Sequence, residues 1–387
     1  MQDFRNTGDG AGGRANDGRG KLALVPNDRR VSPLAGLVCR DAQAAAHGEQ
    51  GLLDHVLAVV RSAGYTFPRS LIVNYYVSLK TNPFVILTGA EGRGKTELAR
   101  LFADALVGCD SPQYQLIPSA GGWPGATGKD QYYRYMQEQF SSWRFVELLH
   151  EAAAPANLGK AYLVCFDALH PDELDYYFTR LVHVTPQGEK LLNLPGFPPE
   201  RRLTVPPNVS IAATVNTAEH RDALSRNVLR YAGLIEFRAQ WHPADMPVQM
   251  IRPPSVPPIG YQRVWLRAGV ASLQAARQRL ADILGDEQMG RLQASPALGR
   301  LIWRSGQVLN KVALDEMTAY IANSFDAQGC GLFDRDNPLR NAQIAYDAQL
   351  VQRFMWRLRD YDDEQLGRDL SAYLDEFALA GAQQAVA

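Results

Sequence analysis

Residues 89 to 96 read GAEGRGKT, and this stretch constrains the fold of the chain more than any other. It matches G-x-x-x-x-G-K-[ST] in full, the pattern of a loop whose backbone N–H groups converge on phosphate oxygens. Glycines are needed because the loop turns sharply and its backbone approaches the ligand closely. A helix must follow, because the dipole at a helix N-terminus favours a bound anion. The pattern therefore predicts a strand, a phosphate-binding turn and a helix, in that order.

The residues on both sides of the loop agree with this prediction. Phe84 to Leu87 form an apolar run, typical of a strand that is buried on both faces of a parallel sheet. After the loop, apolar residues recur at helical spacing, and Gly108 follows as a helix terminator. These apolar positions are Leu98, Leu101, Phe102, Ala105 and Leu106.

The motif also predicts roles for individual residues toward a nucleoside triphosphate. We expect Lys95 to reach the β and γ phosphates and the Thr96 hydroxyl to ligate Mg²⁺. The other residues predicted to contact the nucleotide are Gly89, Ala90, Glu91, Gly92, Arg93, Gly94 and Glu97.

The pattern of strands and helices continues after the loop. YLVCF at 162 to 166 and VSIAATV at 209 to 215 have the composition of buried strands, and HVTPQGEKLLNL at 183 to 194 is typical of a β-hairpin. Helical spacing is found at 51 to 64, 70 to 79 and 143 to 152. Strands that alternate with helices predict an α/β fold, with a parallel sheet and helices on both of its faces.

Composition divides the chain into four segments. Residues 1–48 are rich in Gly, Asn, Asp, Arg and Ala, which predicts a disordered tail or, alternatively, a partner-binding arm. Residues 49–242 carry the α/β pattern, with the hairpin as an insertion. Residues 243–260 contain six prolines and are expected to form an extended linker. Residues 261–387 are expected to form an α-helical domain.

Three helices are predicted in this last segment. The first carries Leu266, Val270, Leu273, Leu280 and Leu284. The second carries Ile344, Leu350, Val351, Phe354 and Leu358. Asp362 is expected to cap the third, which carries Leu366, Leu370, Tyr373, Leu374 and Phe377.

Bulk properties argue against several classes of protein. The formal net charge of −1 does not demand nucleic acid or an acidic surface as a partner. Cys39, Cys109, Cys165 and Cys330 show no C-x-x-C spacing, which argues against a zinc site and a disulfide framework. The N-terminus lacks the apolar region of a secretory signal, and no run of about 18 apolar residues could span a membrane. We therefore expect a cytoplasmic protein.

Polar residues follow two of the predicted strands. Asp167 ends the strand at 162 to 166, where an acid orients Mg²⁺ in phosphate-loop proteins. Asn216 follows the strand at 209 to 215, where an amide can position the attacking water or the γ-phosphate. The alternative for Asn216 is a turn-forming asparagine. With Thr96, Asp167 completes a predicted Mg²⁺ site.

These residues resemble a known family over nearly half of the chain. The stretch from about 65 to 237 is similar to the AAA+ module of McrB-like proteins, which are related to the nucleotide-driven motor of the McrBC restriction system. Four segments carry the resemblance, namely 64 to 106 around the loop, FDALHPDELDYYFTRL at 166 to 181, VPPNVSIAATVNTAE at 205 to 219 and SRNVLRYAGLIEF at 225 to 237. The resemblance implies an AAA+ fold with a C-terminal helical lid. It also implies a homo- or hetero-oligomeric ring, ATP and Mg²⁺ as cofactors, and an effector or nuclease as partner.

The chain departs from this family at catalytic positions. The metal-binding strand of the family reads Asp-Glu, whereas Ala168 follows Asp167 here. Alanine cannot polarise water, and general-base assistance contributes about 10²–10⁴-fold in rate. In the segment that usually carries the arginine finger, Tyr231 stands in the expected place, so either the finger has moved to Arg230 or this chain lacks one. Residues 217–220 lack the signature of the GTP-using motor, so we expect ATP.

Three other acids are candidates for the role of the missing glutamate. Glu91 lies inside the loop, near the reacting end of a nucleotide. Glu173 and Asp175 lie on the helix predicted after residue 171, where they are expected to point elsewhere. His170 stands where the family has Asn, and Trp123 either matches a tryptophan of the family or is a packed aromatic.

Three functional hypotheses follow from this resemblance and these departures. The first is a slow or partner-dependent ATPase, with Lys95 and Asn216 in catalytic roles, acting as a motor or regulatory subunit of a McrBC-like or other anti-phage defence assembly. The second, motivated by the losses at 168 and 231, is a catalytically inactive nucleotide-binding scaffold. The third is a MoxR-like AAA+ chaperone. Direct binding of nucleic acid has little support, since the sequence has neither a nuclease motif nor a strong basic stripe.

Overall fold

In a computed structural model of the chain, the apolar run before the glycine-rich loop is an interior strand of a parallel sheet. The strands are β1 (Phe84–Gly89), β2 (Tyr114–Pro118), β3 (Tyr162–Asp167), β4 (Val182–Val184), β5 (Lys190–Leu192), β6 (Leu203–Thr204), β7 (Val209–Asn216) and β8 (Gly233–Phe237). Five of them form one sheet in the order β2-β3-β7-β1-β8, in which every neighbouring pair is parallel. The predicted α/β fold with a parallel sheet is confirmed.

The structure describes most of the chain from residue 38 onward. The described residues are 38–82, 84–118, 144–171, 174, 182–184, 190–192, 203–216, 224, 228, 233–237, 259–267, 269–270, 272–293, 311–355, 368 and 371–372. The helices are α1 (Val38–Ser62), α2 (Arg69–Thr81), α3 (Lys95–Leu106), α4 (Phe145–Ala153), α5 (Ile259–Arg267), α6 (Leu273–Gln293), α7 (Lys311–Asn323) and α8 (Pro338–Gln349). Among these helices, none has both the length and the apolar character needed to cross a membrane.

Alternate residues of the sheet face two separate cores. Val85 and Leu87 of β1 pack with residues of α1, α2 and α3, whereas Phe84 and Ile86 pack with residues of α4. We call the core around Val85 and Leu87 the first core and the core around Phe84 and Ile86 the second core. Successive side chains of a strand point to opposite faces, so an unbroken apolar run is needed to fill both cores. Helices therefore lie on both faces of the sheet, as predicted.

The C-terminal helices contribute residues to the first core. Trp265 of α5 lies against Tyr76 and Phe102, with ring centroids 5.1 and 5.5 Å apart. Tyr320 of α7 donates a hydrogen bond of 2.6 Å to Oδ1 of Asn74 in α2. The helical content predicted beyond residue 261 is confirmed where the chain is described. That these C-terminal helices form a lid over a nucleotide stays a prediction.

Two predicted helices of this region have different bounds in the structure. The single helix predicted between residues 266 and 284 is wrong, because α5 ends at Arg267, α6 begins at Leu273, and the described residues 269, 270 and 272 between them are not helical. Within this break, the backbone N–H of Val270 donates to Oδ1 of Asn323 at 2.7 Å, a tertiary contact that hydrophobic spacing cannot reveal. The second helix is α8, which continues as a π-helical turn at Leu350–Met355.

The remaining predictions outside the glycine-rich loop have mixed outcomes. α1 begins at Val38, so the segment predicted as a tail to residue 48 is helical over its last part, with a non-helical Gly48 at φ 56°. The hairpin predicted at 183 to 194 is confirmed in its described strands, since β4 and β5 pair antiparallel. Several predictions fall outside the described residues. These are the tail up to residue 37, residues 243–258 of the predicted linker, and the positions of Leu358 and Asp362.

Candidate functional site

The register of the sheet brings the predicted site residues to one edge. Gly89 at the end of β1 is the direct partner of Asn216 in β7 and of Phe237 in β8. β7 lies between β1 and β3, and Asp167 ends β3. The carboxyl ends of the parallel strands thus place Asn216 between the glycine-rich loop and Asp167. This edge is where ligands bind in open α/β sheets.

The three glycines of the loop are needed for different reasons. Gly89 has φ 140°, and a Cβ there would stand 2.4 Å from the carbonyl oxygen of Phe237. Gly94 has φ 83°, and a Cβ there would stand 2.8 Å from Cζ of Phe67. Gly92 has φ 73° with open space around it, so its requirement is conformational alone. The loop is therefore held by its own dihedral angles and by close packing at both ends.

Lys95, the first residue of α3, is held inside the loop. Its side chain is buried, and Nζ donates to the carbonyl oxygens of Gly89 at 3.0 Å and Ala90 at 2.7 Å. Burial lowers the pKa of Lys95, and the carboxylates of Glu91 and Asp167 partly oppose this shift. Two carbonyl dipoles thus hold the ammonium group in the position expected for a phosphate-binding lysine.

Thr96 and Asp167 are in direct contact, although 71 positions separate them. The Thr96 hydroxyl donates to Oδ1 of Asp167 at 2.5 Å. This bond uses the hydroxyl proton of Thr96. The two lone pairs of the Thr96 oxygen take no part in the bond and can therefore face a cation. The pair therefore fits the Mg²⁺ site that the sequence predicts.

The donor set also fits Mg²⁺ chemically. Across the described ranges, no group of three or more His, Cys, Asp or Glu side chains could hold a metal ion by itself. Mg²⁺ is usually bound by one or two protein oxygens together with water and substrate phosphates, so a hydroxyl and a carboxylate suffice. Thr96 and Asp167 would hold the ion, and the ion would neutralise charge on the phosphates.

Ala168 occupies an unusual backbone position directly after this carboxylate. Its φ is 52°, in the left-handed region, and within the described residues Arg144 is the one other non-glycine with positive φ. The residue is exposed, and its N–H donates to Oγ1 of Thr214 at 2.7 Å. A methyl group cannot accept a proton, so the turn presents no acid at this position.

The remaining predicted residues are distributed around the loop. Glu91 is exposed and Arg93 is half-buried. Glu97 forms an ion pair with Arg100 at 2.6 Å, one turn along α3, where both side chains are about one third exposed. The structure thus places Glu97 against its own helix.

Several predicted residues lie outside the described part of the chain. They are Arg230, Trp123, Glu173 and Asp175. Val228, two residues before the candidate finger, is described and is buried in the second core. The role of Arg230 therefore stays a prediction.

Two features of the site were not predicted from the sequence. Tyr65 stacks on Phe67 with centroids 5.4 Å apart, and Phe67 meets Phe237 edge-on at 6.1 Å, which forms an aromatic wall beside the loop. Thr214 bonds both Asp167 and Ala168. The signal for Thr214 was a hydroxyl in an apolar strand, two residues before Asn216 and therefore on the same face of the strand.

Comparison with known proteins does not assign this chain to a family. No protein-family model matches it, and no curated protein sequence matches it either.

Proposed function

We propose that this chain is an AAA+ ATP-binding protein that resembles the McrB-like NTPases and hydrolyses ATP slowly or with help from a partner subunit. The observation that carries the proposal is the edge of the sheet where GAEGRGKT, Asp167 and Asn216 meet. A phosphate loop, a carboxylate in contact with the loop threonine and an amide between them are the protein groups that bind a nucleoside triphosphate with Mg²⁺.

The proposed division of labour follows from this placement. The loop N–H groups and Lys95 bind the β and γ phosphates, and Thr96 and Asp167 hold Mg²⁺. Asn216, beside Gly89 at the end of β7, orients the attacking water or the γ-phosphate. No acid stands at 168 to assist the water, so we expect turnover to be lower by the 10²–10⁴-fold that such a base typically contributes.

ATP turnover by the full chain, measured over a range of protein concentrations, tests this proposal. We expect slow hydrolysis that is lost in Lys95→Ala. If neighbouring subunits contribute to catalysis, the turnover per chain should rise with protein concentration. A Lys160→Ala variant is a matched control, because Lys160 lies on a loop at the opposite end of β3. Turnover that does not exceed the Lys95→Ala background at any concentration would exclude hydrolysis by this chain alone.

A second candidate function is a nucleotide-binding scaffold that does not hydrolyse ATP, and the alanine at 168 favours it. Ala168 is exposed beside the site, so a longer side chain has room there. If the missing base alone limits hydrolysis, Ala168→Glu raises turnover, whereas Ala168→Gln, which has the same shape without the charge, does not. Ordinary AAA+ turnover by the unmodified chain would exclude the scaffold.

We propose that the protein acts as a motor or regulatory subunit of a McrBC-like or other anti-phage defence assembly, in a ring with an effector partner. The resemblance of residues 65 to 237 to McrB-like modules supports this role. Size measurements with and without ATP–Mg²⁺ test the assembly. We expect a nucleotide-dependent increase in mass, and a monomer under both conditions would argue against a ring.

A further inference from the structure

Thr214 of β7 connects three consecutive residues at the end of β3. Its Oγ1 donates to Oδ1 of Asp167 at 2.8 Å and accepts the N–H of Ala168 at 2.7 Å. Its backbone carbonyl accepts the N–H of Leu169 at 2.9 Å. Thr214 itself is 1% exposed, whereas Asp167 is half-buried and Ala168 is exposed, so the Thr214 end of each bond is shielded from water.

The direction of the Thr214 hydroxyl bond follows from these contacts. A hydroxyl has one proton and two lone pairs. Because Oγ1 accepts the N–H of Ala168, its proton is directed at Asp167. Thr96 donates to the same carboxylate oxygen, so Oδ1 receives two hydroxyl protons. The rotation of the carboxylate is therefore fixed from two sides, and neither hydroxyl competes for Oδ2.

The bond to Ala168 has a separate effect on the backbone. A non-glycine residue in the left-handed region costs about 1–2 kcal/mol. At residue 168 this conformation is stabilised by the N–H bond to Thr214 and by the bond from the next residue to the Thr214 carbonyl. The same side chain thus orients the carboxylate at 167 and shapes the turn from which any side chain at 168 projects.

We propose that Thr214 is a positioning residue of the nucleotide site, which orients Asp167 toward Mg²⁺ and holds the turn at Ala168. This inference rests on the proposed function, because it requires Mg²⁺ at Thr96 and Asp167. Groups that orient a metal ligand typically contribute about 10–100-fold to metal affinity. Loss of the Thr214 hydroxyl should therefore weaken the dependence on Mg²⁺ more than it weakens the binding of the nucleotide itself.

The test is a titration of the full chain with Mg²⁺ at a fixed concentration of a fluorescent ATP analogue, together with the affinity for the analogue in EDTA. In Thr214→Val, which keeps the shape of the side chain, we expect half-saturating Mg²⁺ to rise about tenfold. The affinity in EDTA should change less than about twofold. Thr214→Ser should restore the wild-type Mg²⁺ dependence, because serine retains the hydroxyl.

Thr88→Val provides a matched control in the neighbouring strand. Thr88 is also fully buried, and its hydroxyl makes a long bond of 3.4 Å to the carbonyl oxygen of Ile235. We expect both affinities of this variant to stay close to wild type. If Thr214→Val does not fold, Thr214→Ser and Thr214→Ala are compared instead, since they differ by the hydroxyl alone.

Two results would overturn the inference while leaving the proposed function standing. One is an unchanged Mg²⁺ dependence in the variant without the hydroxyl. The other is an equal loss of affinity with and without Mg²⁺, which would indicate general damage to the site. A wild-type chain that binds the analogue without any effect of Mg²⁺ would instead overturn the Mg²⁺ site, and the inference with it.

Discussion

Lys80 and Lys95 are both buried lysine side chains, but their positive charges are balanced in different ways. Nζ of Lys80 is 2.6 Å from the carboxylate of Glu49 and donates to the carbonyl oxygen of Asn323 at 2.7 Å. Tyr76 donates to the same carboxylate at 2.7 Å. Nζ of Lys95 contacts two loop carbonyls and, among the described residues, forms no ion pair with a carboxylate.

This difference indicates that the charge of Lys80 serves the fold, whereas the charge of Lys95 serves the binding of a ligand. Glu49 neutralises Lys80 within the fold, where α1 and α2 meet the end of α7. The carbonyl dipoles around Lys95 compensate its charge in part, and an anionic ligand would complete the balance. Exchange of each lysine for an uncharged side chain of similar length should therefore change different properties of the protein.

The largest effect is expected for Lys80→Met. Removal of one partner of a buried ion pair leaves an uncompensated charge on Glu49 and costs about 3–5 kcal/mol of unfolding free energy. Denaturant unfolding measures this loss. The double variant Lys80→Met/Glu49→Gln should recover most of it, and a single variant as stable as wild type would contradict the structural role.

For Lys95→Met the expected effect is on binding. Loss of the charge-assisted contacts to the phosphates should weaken ATP–Mg²⁺ binding about 100-fold, equivalent to roughly 3 kcal/mol, as measured by calorimetric titration. The unfolding free energy without nucleotide should stay close to wild type. If Lys95→Met instead lowers the unfolding free energy as much as Lys80→Met does, the distinction between the two lysines is wrong.

The pH dependence of stability sharpens the same comparison. Burial lowers the pKa of Lys80 from 10.5 to about 8, although the Glu49 carboxylate acts in the opposite direction. Between these two values the unfolded chain binds a proton that the folded chain has lost, so the Lys80 contribution to stability increases as pH rises through this window. The stability difference between wild type and Lys80→Met should thus be larger at pH 10 than at pH 8. A constant difference would show that Lys80 does not titrate there.

The smallest effect is expected at the turn beside the nucleotide site. Ala168→Gly removes the penalty of a side chain at φ 52° and should raise the unfolding free energy by up to about 1 kcal/mol. Ala275→Gly is the control. Ala275 is exposed in the first turn of the helix α6, so this variant should lose up to about 1 kcal/mol of unfolding free energy. A loss of stability in both variants would contradict the left-handed turn.

Long-range contacts explain why several elements could not be predicted from the sequence. β2 and β8 were not predicted as strands, because YQLIP and GLIEF are short and mix polar with apolar residues, and they become strands through pairing with β3 and β1. In the break between α5 and α6, the backbone N–H of Val270 bonds to Asn323, which is 53 positions away. Neither effect leaves a local pattern in the chain.

Local chemistry was sufficient for the strand, loop and helix around GAEGRGKT. Glycine dihedrals, an apolar run and helical spacing act within about 20 residues, so they can be read directly from the order of side chains. The apolar runs before Asp167 and Asn216 also predicted that both residues lie at the ends of strands. The sequence by itself therefore determined the type of fold and the core of the candidate site.

Only the tertiary structure decided which side chains complete that site and which charges are neutralised inside the fold. Thr214 meets Asp167 across 47 positions, and Lys80 meets Glu49 across 31. Such pairs depend on the register of the strands and the packing of the helices, and a shift of one residue in a strand would turn Thr214 to the opposite face. Local preferences shape each element, whereas the partner of a buried polar group is set when the elements come together.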